Sequence, residues 1–452
     1  MRVLALAGLL PLAACMATAG GDGAATAPFP DGSYGLINDL VVTTRPAEPA
    51  EVGYDGFVGT FRIGDEREHP VSLLRPGVWV VPELDLELSA EGREEDRLLR
   101  LTRYQETVLL APAGPGNEVD YAGWDRRAVI AHLVPRLMIA FNVPGVSVAL
   151  VEEGEVRWLG QHGVKVAGGE DRVDASTIFE AASMSKPAYG YAVLGLAQDG
   201  ILDLDRSLVE YLGADYLEGE ELHRTITARM VLSHTTGFPN WRRGGELEVR
   251  FLPGSRIGYS GEGFLFLQTA VEAVTGLPTE RFAQERLLRP LGMTASSYEW
   301  QERYDDRYAT GHSPEGRPRE WAPYQSANTA YTLYTTPADY ARLLVEMLRP
   351  NASGPYSLSP EWRRTMLTSQ VQAEERQPVG RRGEHPGATV HFVLGWRMDR
   401  LSAGPRYYHS GSNSTGFQCY SEFDPATGSG IVIMTNSSSG SPLWRALLRE
   451  IG

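Results

Sequence analysis

Ser183-Met184-Ser185-Lys186 sets a hydroxyl three residues ahead of an amine, and the Pro187 that follows is tolerated in the first turn of a helix, where an N–H has no intrahelical partner. A spacing of three on a helix brings both side chains onto one face. An alcohol becomes a useful nucleophile only when a positioned base takes its proton, and a lysine can be that base once burial or a nearby cation lowers its pKa. The composition singles out this amine: Lys165 and Lys186 are the only lysines among 42 basic side chains, all the others being arginine. Arginine does not release its proton in a protein. Lys186 is therefore read as kept for a removable proton, and Lys165 as a surface residue. The free N–H groups of a helix start would also let the Ser183 N–H support a developing oxyanion.

Two further segments carry polar side chains at positions that could face such a pair. Tyr259-Ser260-Gly261 follows a Pro253-Gly254 turn and precedes a helical stretch. A phenol beside a lysine can share the base role or return the proton to a leaving group. His409-Ser410-Gly411-Ser412 closes one strand-like run and leads to another. There His409 could donate to substrate, and the Ser412 N–H could complete an oxyanion pair with that of Ser183. Each motif alone has an ordinary reading, since tyrosines are common in cores and a lone histidine on a strand is more often structural.

The three motifs in this order resemble the serine β-lactamase-like family, which contains class C β-lactamases, D-Ala-D-Ala carboxypeptidases, aminopeptidases and esterases. The stretches Ile226 to Gly237, Arg289-Pro290-Leu291-Gly292-Met293-Thr294 and Leu394-Gly395-Trp396 are similar to other recurring segments of that family. The resemblance covers about three-quarters of the chain, from Trp124 onward. It implies a hydrolase acting through a covalent acyl-enzyme on a β-lactam, a D-amino-acid peptide or a carboxylic ester. In it Ser183 is the nucleophile, Lys186 the base, Tyr259 its partner, and His409, Ser410, Gly411 and Ser412 form the substrate-binding strand.

Two positions depart from the family pattern. The second motif usually ends in Asn, which binds the acylamide carbonyl of peptide-like and β-lactam substrates, and here it is Gly261. The third usually begins with Lys in dedicated β-lactamases, whereas His409 is expected to be only partly charged near neutral pH. Both changes argue against strong β-lactam hydrolysis and leave esters and small amides open. A binding protein for penicillin or peptidoglycan peptides, acting without turnover as a sensor or scaffold, is the alternative of another class. The competing serine-hydrolase elbow Gly-x-Ser-x-Gly is absent, for Gly311-His312-Ser313-Pro314-Glu315 ends in Glu.

The elements that must position these residues read as an α+β fold. A helix is expected over Trp124 to Phe141 and a hairpin over Gly145 to Leu159, with helices at Ala188 to Gln198, Gly263 to Val274 and Pro337 to Leu348. Strands return at Arg406 to His409, Phe417 to Phe423 and Gly430 to Thr435 before a last helix from Pro442 to Arg449. Strands at both ends with helices between them imply one antiparallel sheet closed by the two ends of the catalytic segment. The resemblance implies the β-lactamase/transpeptidase architecture, an antiparallel sheet with flanking helices and a helical subdomain. Residues 31–111 read as a small β-rich domain, 112–123 as a linker and 124–452 as the hydrolase domain.

Residues 1–14 carry a basic start, a short apolar run and small residues before Cys15, the pattern of an export signal and too short to span a bilayer. Leu12-Ala13-Ala14-Cys15 resembles a bacterial lipoprotein box. The expectation is an exported protein, periplasmic or at the cell surface, lipid-anchored to the membrane through Cys15, with 15–30 as a flexible tether. A net charge of −15 argues against nucleic acid as a partner. No metal or other cofactor is implied: there are two cysteines, and no histidine pair, His223 and His234 included, stands at ligand spacing.

Overall fold

The computed structural model describes residues 121–451 apart from 122, 220, 243, 321, 350–353, 374–383 and 386, together with eight strands between Gly32 and Leu110. The leader, Cys15, the tether and residues 112–120 and 122 of the linker lie outside them. The eight strands are β1 (Gly32–Gly35), β2 (Leu40–Pro46), β3 (Phe57–Ile63), β4 (Arg67–Arg75), β5 (Val78–Val81), β6 (Leu86–Glu91), β7 (Leu98–Arg103) and β8 (Glu106–Leu110). Each pairs antiparallel with the next, giving one meander in sequence order. Helix α1 (Arg126–Ala140) follows, its first turn capped by the Asp125 carboxylate, which accepts the Ala128 N–H at 2.7 Å. The chain divides into two compact units, Met1–Asn142 and Val143–Gly452.

The second unit is built on an eight-stranded antiparallel sheet. Its strands are β9 (Gly145–Glu152), β10 (Glu155–Gly163), β13 (Val371–Gln372), β14 (Thr389–Phe392), β15 (Arg397–Leu401), β16 (Gly404–Asn413), β17 (Phe417–Asp424) and β18 (Ser429–Thr435), in the order β10-β9-β18-β17-β16-β15-β14-β13. The early hairpin therefore pairs with the last strand, through Val146 to Val151 of β9 against Gly430 to Thr435 of β18. Residues 145 to 151 of β9 are all buried. A strand without an exposed face must be covered on both sides.

Between these ends run the two-stranded β11 (Phe179–Glu180) and β12 (Tyr334–Thr335), and helices α2 (Ser185–Gln198), α3 (Ala228–Leu232), α4 (Gly261–Thr275), α5 (Pro337–Leu348) and α6 (Pro360–Leu367), with α7 (Gly440–Ile451) last. Helix α5 packs on β9 and β18, and α7 on β17 and β18. Helix α2 is buried all round from Ser185 to Ala197, as befits a helix apolar on every face. Gly395 lets the loop after β14 touch it. Its φ is +87°, and a Cβ there would sit 3.3 Å from Pro187 Cα.

Candidate active site

The chain enters the site from β11. Every residue from Thr177 to Ala197 is buried except Ser183. The expectation that Ser183 opens the helix is refined: it sits in a 3₁₀ turn over Ala182–Met184, and α2 begins at Ser185. Ala182 has φ +50°, a left-handed conformation that costs a non-glycine residue about 1–2 kcal/mol. The surroundings hold it there. The Ser185 hydroxyl donates to the Ala182 carbonyl at 2.6 Å and accepts the Leu333 N–H at 3.0 Å. The phenols of Tyr340 and Tyr298 donate to the carbonyls of Met184 and Ser185 at 2.9 and 2.8 Å. The turn thus has its polar atoms met from three directions while one hydroxyl is presented outward.

Lys186 is fully buried, with its Nζ 3.2 Å from Ser183 Oγ and donating to the Ala330 carbonyl at 2.8 Å. The same Nζ lies 4.9 Å from the ring centre of Tyr259 and 5.6 Å from that of Phe264. Burial lowers its pKa from the ordinary lysine value; the Tyr259 phenol opposes this and the nearby Arg397 reinforces it. The Tyr259 phenol moves the other way from most buried tyrosines. Desolvation alone would raise it, but the charges of Lys186 and Arg397 and hydrogen bonding with Ser183 and Lys186 hold it below its ordinary value.

His234, set aside in the sequence as a metal ligand, positions that phenol. Its ring stacks on Tyr259 with centres 4.1 Å apart, and its Nδ1 accepts the Ser260 N–H at 3.1 Å. The ring's proton is then on Nε2. Burial, then the charges of Lys186, His409 and Arg397, push its pKa well below the ordinary value, so it packs as a neutral aromatic. Its φ of +57° turns the chain, and its carbonyl accepts the Gly258 N–H at 2.8 Å. The sequence signal was present in Ser233-His234-Thr235-Thr236-Gly237, read only as part of a recurring segment.

Strand β16 brings the third motif to the Ser183 turn. A Cβ on Gly411 would lie 2.1 Å from the Ala181 carbonyl oxygen, so only glycine permits this approach. Ser410 is partly exposed and Ser412 exposed, while His409 and Gly411 are buried, the alternation a strand imposes. The far end of β16 is tied back to β11 by the buried Glu180 carboxylate. It accepts Asn413 Nδ2 at 2.8 Å, Thr415 Oγ1 at 2.6 Å and the phenols of Tyr308 and Tyr324 at 2.6 and 3.1 Å.

The protonation of His409 differs from the expectation. Burial, then Arg397 and Lys186, push its pKa well below the ordinary value, and its Nδ1 is 2.8 Å from the Ser410 carbonyl. A carbonyl only accepts, so Nδ1 carries the proton and Nε2 of the neutral ring is an acceptor, not a donor. The permanent cation here is Arg397, which sequence reasoning missed. It lies on β15, opposite Tyr408, with its guanidinium 5.5 Å from the Tyr259 ring centre and 5.6 Å from that of Phe392. No carboxylate pairs with it among the described residues, and its buried Nε meets no acceptor there. Lys165, by contrast, is a surface residue donating to the Asp306 carbonyl at 2.7 Å.

Comparison with known proteins bears on the family and the fold. The Beta-lactamase family model matches residues 130–451. "Penicillin-binding protein 4" of Amycolatopsis lactamdurans is 25% identical over 354 residues, covering 74% of this chain and 89% of that protein. "Protein flp" of Staphylococcus aureus strain NCTC 8325 / PS 47 is 22% identical over 316 residues, or 66% of this chain, which spans 60% of that relative's length. Among solved structures, the D-alanine carboxypeptidase AmpC from Burkholderia cenocepacia superposes with a TM-score of 0.59 at 19% identity, over 72% of this chain and 98% of that one. A class C β-lactamase gives a TM-score of 0.59 at 20% identity, over 72% and 96%. These two share the fold. With its motifs in order along the matched segment, the chain belongs to the Beta-lactamase family.

Proposed function

We propose that Ser183 carries the acyl group, Lys186 takes its proton, and Tyr259 passes that proton to the leaving group. The class of chemistry comes with the family: a serine hydrolase of the β-lactamase and penicillin-binding type, cleaving an ester or amide. The single observation that carries the assignment is the 3.2 Å separation of a fully buried amine and the one unburied residue in the stretch from Thr177 to Ala197. A buried lysine loses its proton more readily, which is what a general base requires. As Ser183 Oγ attacks the carbonyl carbon, its proton moves to Nζ. The N–H groups of Ser183 and Ser412 receive the oxyanion, and collapse expels the leaving group with a proton from the phenol. Water then attacks the acyl carbon as the neutral Lys186 amine takes its proton, and collapse of the intermediate returns that proton to Ser183 Oγ as the acid departs. Arg397 receives a carboxylate on the leaving side of substrates that have one, and His409 accepts a hydrogen bond.

Intact mass after exposure to a p-nitrophenyl ester or labelled penicillin tests this. Wild type gains one acyl group and Ser183→Ala gains none; equal labelling of the two removes the assignment. Sustained turnover separates an enzyme from a sensor, which would acylate once and stop. Export and a lipid on Cys15 belong to the same reading, supported by the leader pattern and the box before Cys15. Cys15→Ser is expected in the soluble fraction, and its retention in membranes would refute the anchor.

A further inference from the structure

Gly261 stands where the family's second motif carries Asn, and the structure shows what has taken the space. The six-membered ring of Trp241 lies over the Gly261 Cα: a Cβ there would come within 2.4 Å of Cη2 and 2.7 Å of Cζ2 and Cζ3. No side chain fits at 261 unless the indole moves. The indole is held from both flanks of its own loop. On one side the Asn240 carbonyl accepts the N–H groups of Gly261 and Glu262 at 3.0 and 3.1 Å, and the Asn240 Oδ1 accepts the Gly261 N–H at 3.0 Å. On the other the Arg242 N–H donates to Glu262 Oε1 at 3.0 Å, and the Arg242 guanidinium pairs with Glu262 Oε2 at 2.8 Å. Glu262 is itself buried, so that pair is shielded from water on one side.

The ring's edge meets Tyr331 at 88° with centres 5.5 Å apart, the favourable edge-to-face arrangement. These contacts locate Trp241. Gly261 is two residues from Tyr259, and Tyr331 is next to Ala330, whose carbonyl holds the Lys186 amine. Trp241 is still 38% exposed, so part of its aromatic surface faces solvent at the Gly261 end of the Tyr259 motif.

We infer that Trp241 and Tyr331 form the wall against which the substrate's acyl chain lies, and that this wall selects acyl groups that are apolar next to the carbonyl, as in alkyl and aryl carboxylic esters, over acylamido groups. An acylamide needs a donor for its carbonyl and an acceptor for its N–H; buried without them it loses more than an alkyl chain of equal length. An indole face offers neither and rewards apolar contact. The inference rests on the proposed acyl-enzyme at Ser183 and names its substrate class.

The test compares p-nitrophenyl pentanoate with p-nitrophenyl N-acetylglycinate, which have acyl chains of equal length, each rate divided by that of hydroxide-catalysed hydrolysis. Wild type should favour the pentanoate by about ten-fold or more in kcat/KM. Trp241→Ala should erase most of that ratio, Trp241→Phe should keep it within about three-fold, and Trp241→Ala/Gly261→Asn should move it toward the acylglycine ester. Because the readout is a ratio within one preparation, a partly folded variant does not distort it. Equal preference in wild type, or a ratio unmoved by Trp241→Ala, overturns the substrate class alone. Failure of wild type to turn over either ester overturns the reading of the site beneath it.

Discussion

Two basic side chains converge on Tyr259 from different walls and are treated oppositely. Lys186, from the first turn of α2, is fully buried among aromatic rings and a carbonyl, and its pKa is lowered. Arg397, from β15, is only partly buried and faces the same ring without a carboxylate partner among the described residues. The region around α2 takes water away from an amine, which lowers its pKa. The region around β15 keeps a charge that cannot be lost, and that charge helps push down the pKa values of Lys186, Tyr259, His234 and His409. The comparison teaches that the family's lysine in the third motif is not required for a fixed cation at the site: a neighbouring strand supplies one.

The strongest way to break this contrast is to make the two cations alike. Lys186→Arg places a group that does not deprotonate where the base stands, and kcat/KM on an activated ester should fall by about 10² to 10⁴, the contribution of a general base. A fall of less than ten-fold would mean that the amine is not the base. Removing the other cation should act more gently. Arg397→Gln is expected to raise KM for carboxylate-bearing substrates by about ten-fold, the worth of a charge-assisted hydrogen bond, and to affect neutral esters less. It should also move the rising limb of kcat/KM to higher pH, because a charge that lowers the pKa values of Lys186 and Tyr259 is gone. A limb that stays put would show that the guanidinium is remote from the base in the working enzyme.

The smallest effect sharpens the contrast on stability. His234 and His409 are buried neutral with pKa values well below the ordinary 6.5, so the unfolded chain binds protons that the folded one refuses. Their contribution is whole above about pH 6.5 and drains away as pH falls toward the folded values. Thermal unfolding between pH 7 and pH 5 should show Tm falling with acidification, and His234→Gln should flatten that slope even if it lowers Tm at neutral pH. An unchanged slope would mean that His234 does not stay neutral.

Much of this was legible in the sequence, and the failures have physical causes. The hairpin of β9 and β10, the helices α4 and α5 and the strands β16 to β18 followed apolar periodicity closely, because each buries one face or both in the core. Strand β15 was not foreseen. Its residues Arg397-Met398-Asp399-Arg400-Leu401 carry three charges in five positions and little apolar pattern, yet Asp399 is wholly buried, accepting the His385 N–H at 2.9 Å. With that strand went Arg397. Helix α6 was missed for a similar reason: its buried Arg363 is met by the carbonyls of Glu346 and Arg349, a tertiary arrangement that no local pattern announces. The gap at Gly261 was visible as a departure, but what fills it comes from a loop twenty residues upstream.

The pairing of β9 with β18 has a consequence for how the molecule comes into being. The hairpin at the start of the catalytic unit has no sheet partner until β18, the last of the described strands, has been made, so an emerging chain carries an open, apolar strand edge for most of its synthesis. Contacts so distant in sequence form late and slowly. The serine and its lysine, though close along the backbone, gain the strand that faces them only when β16 arrives. A chain clipped before Ser429 would lack β18, the strand that joins the early hairpin to the rest of the sheet.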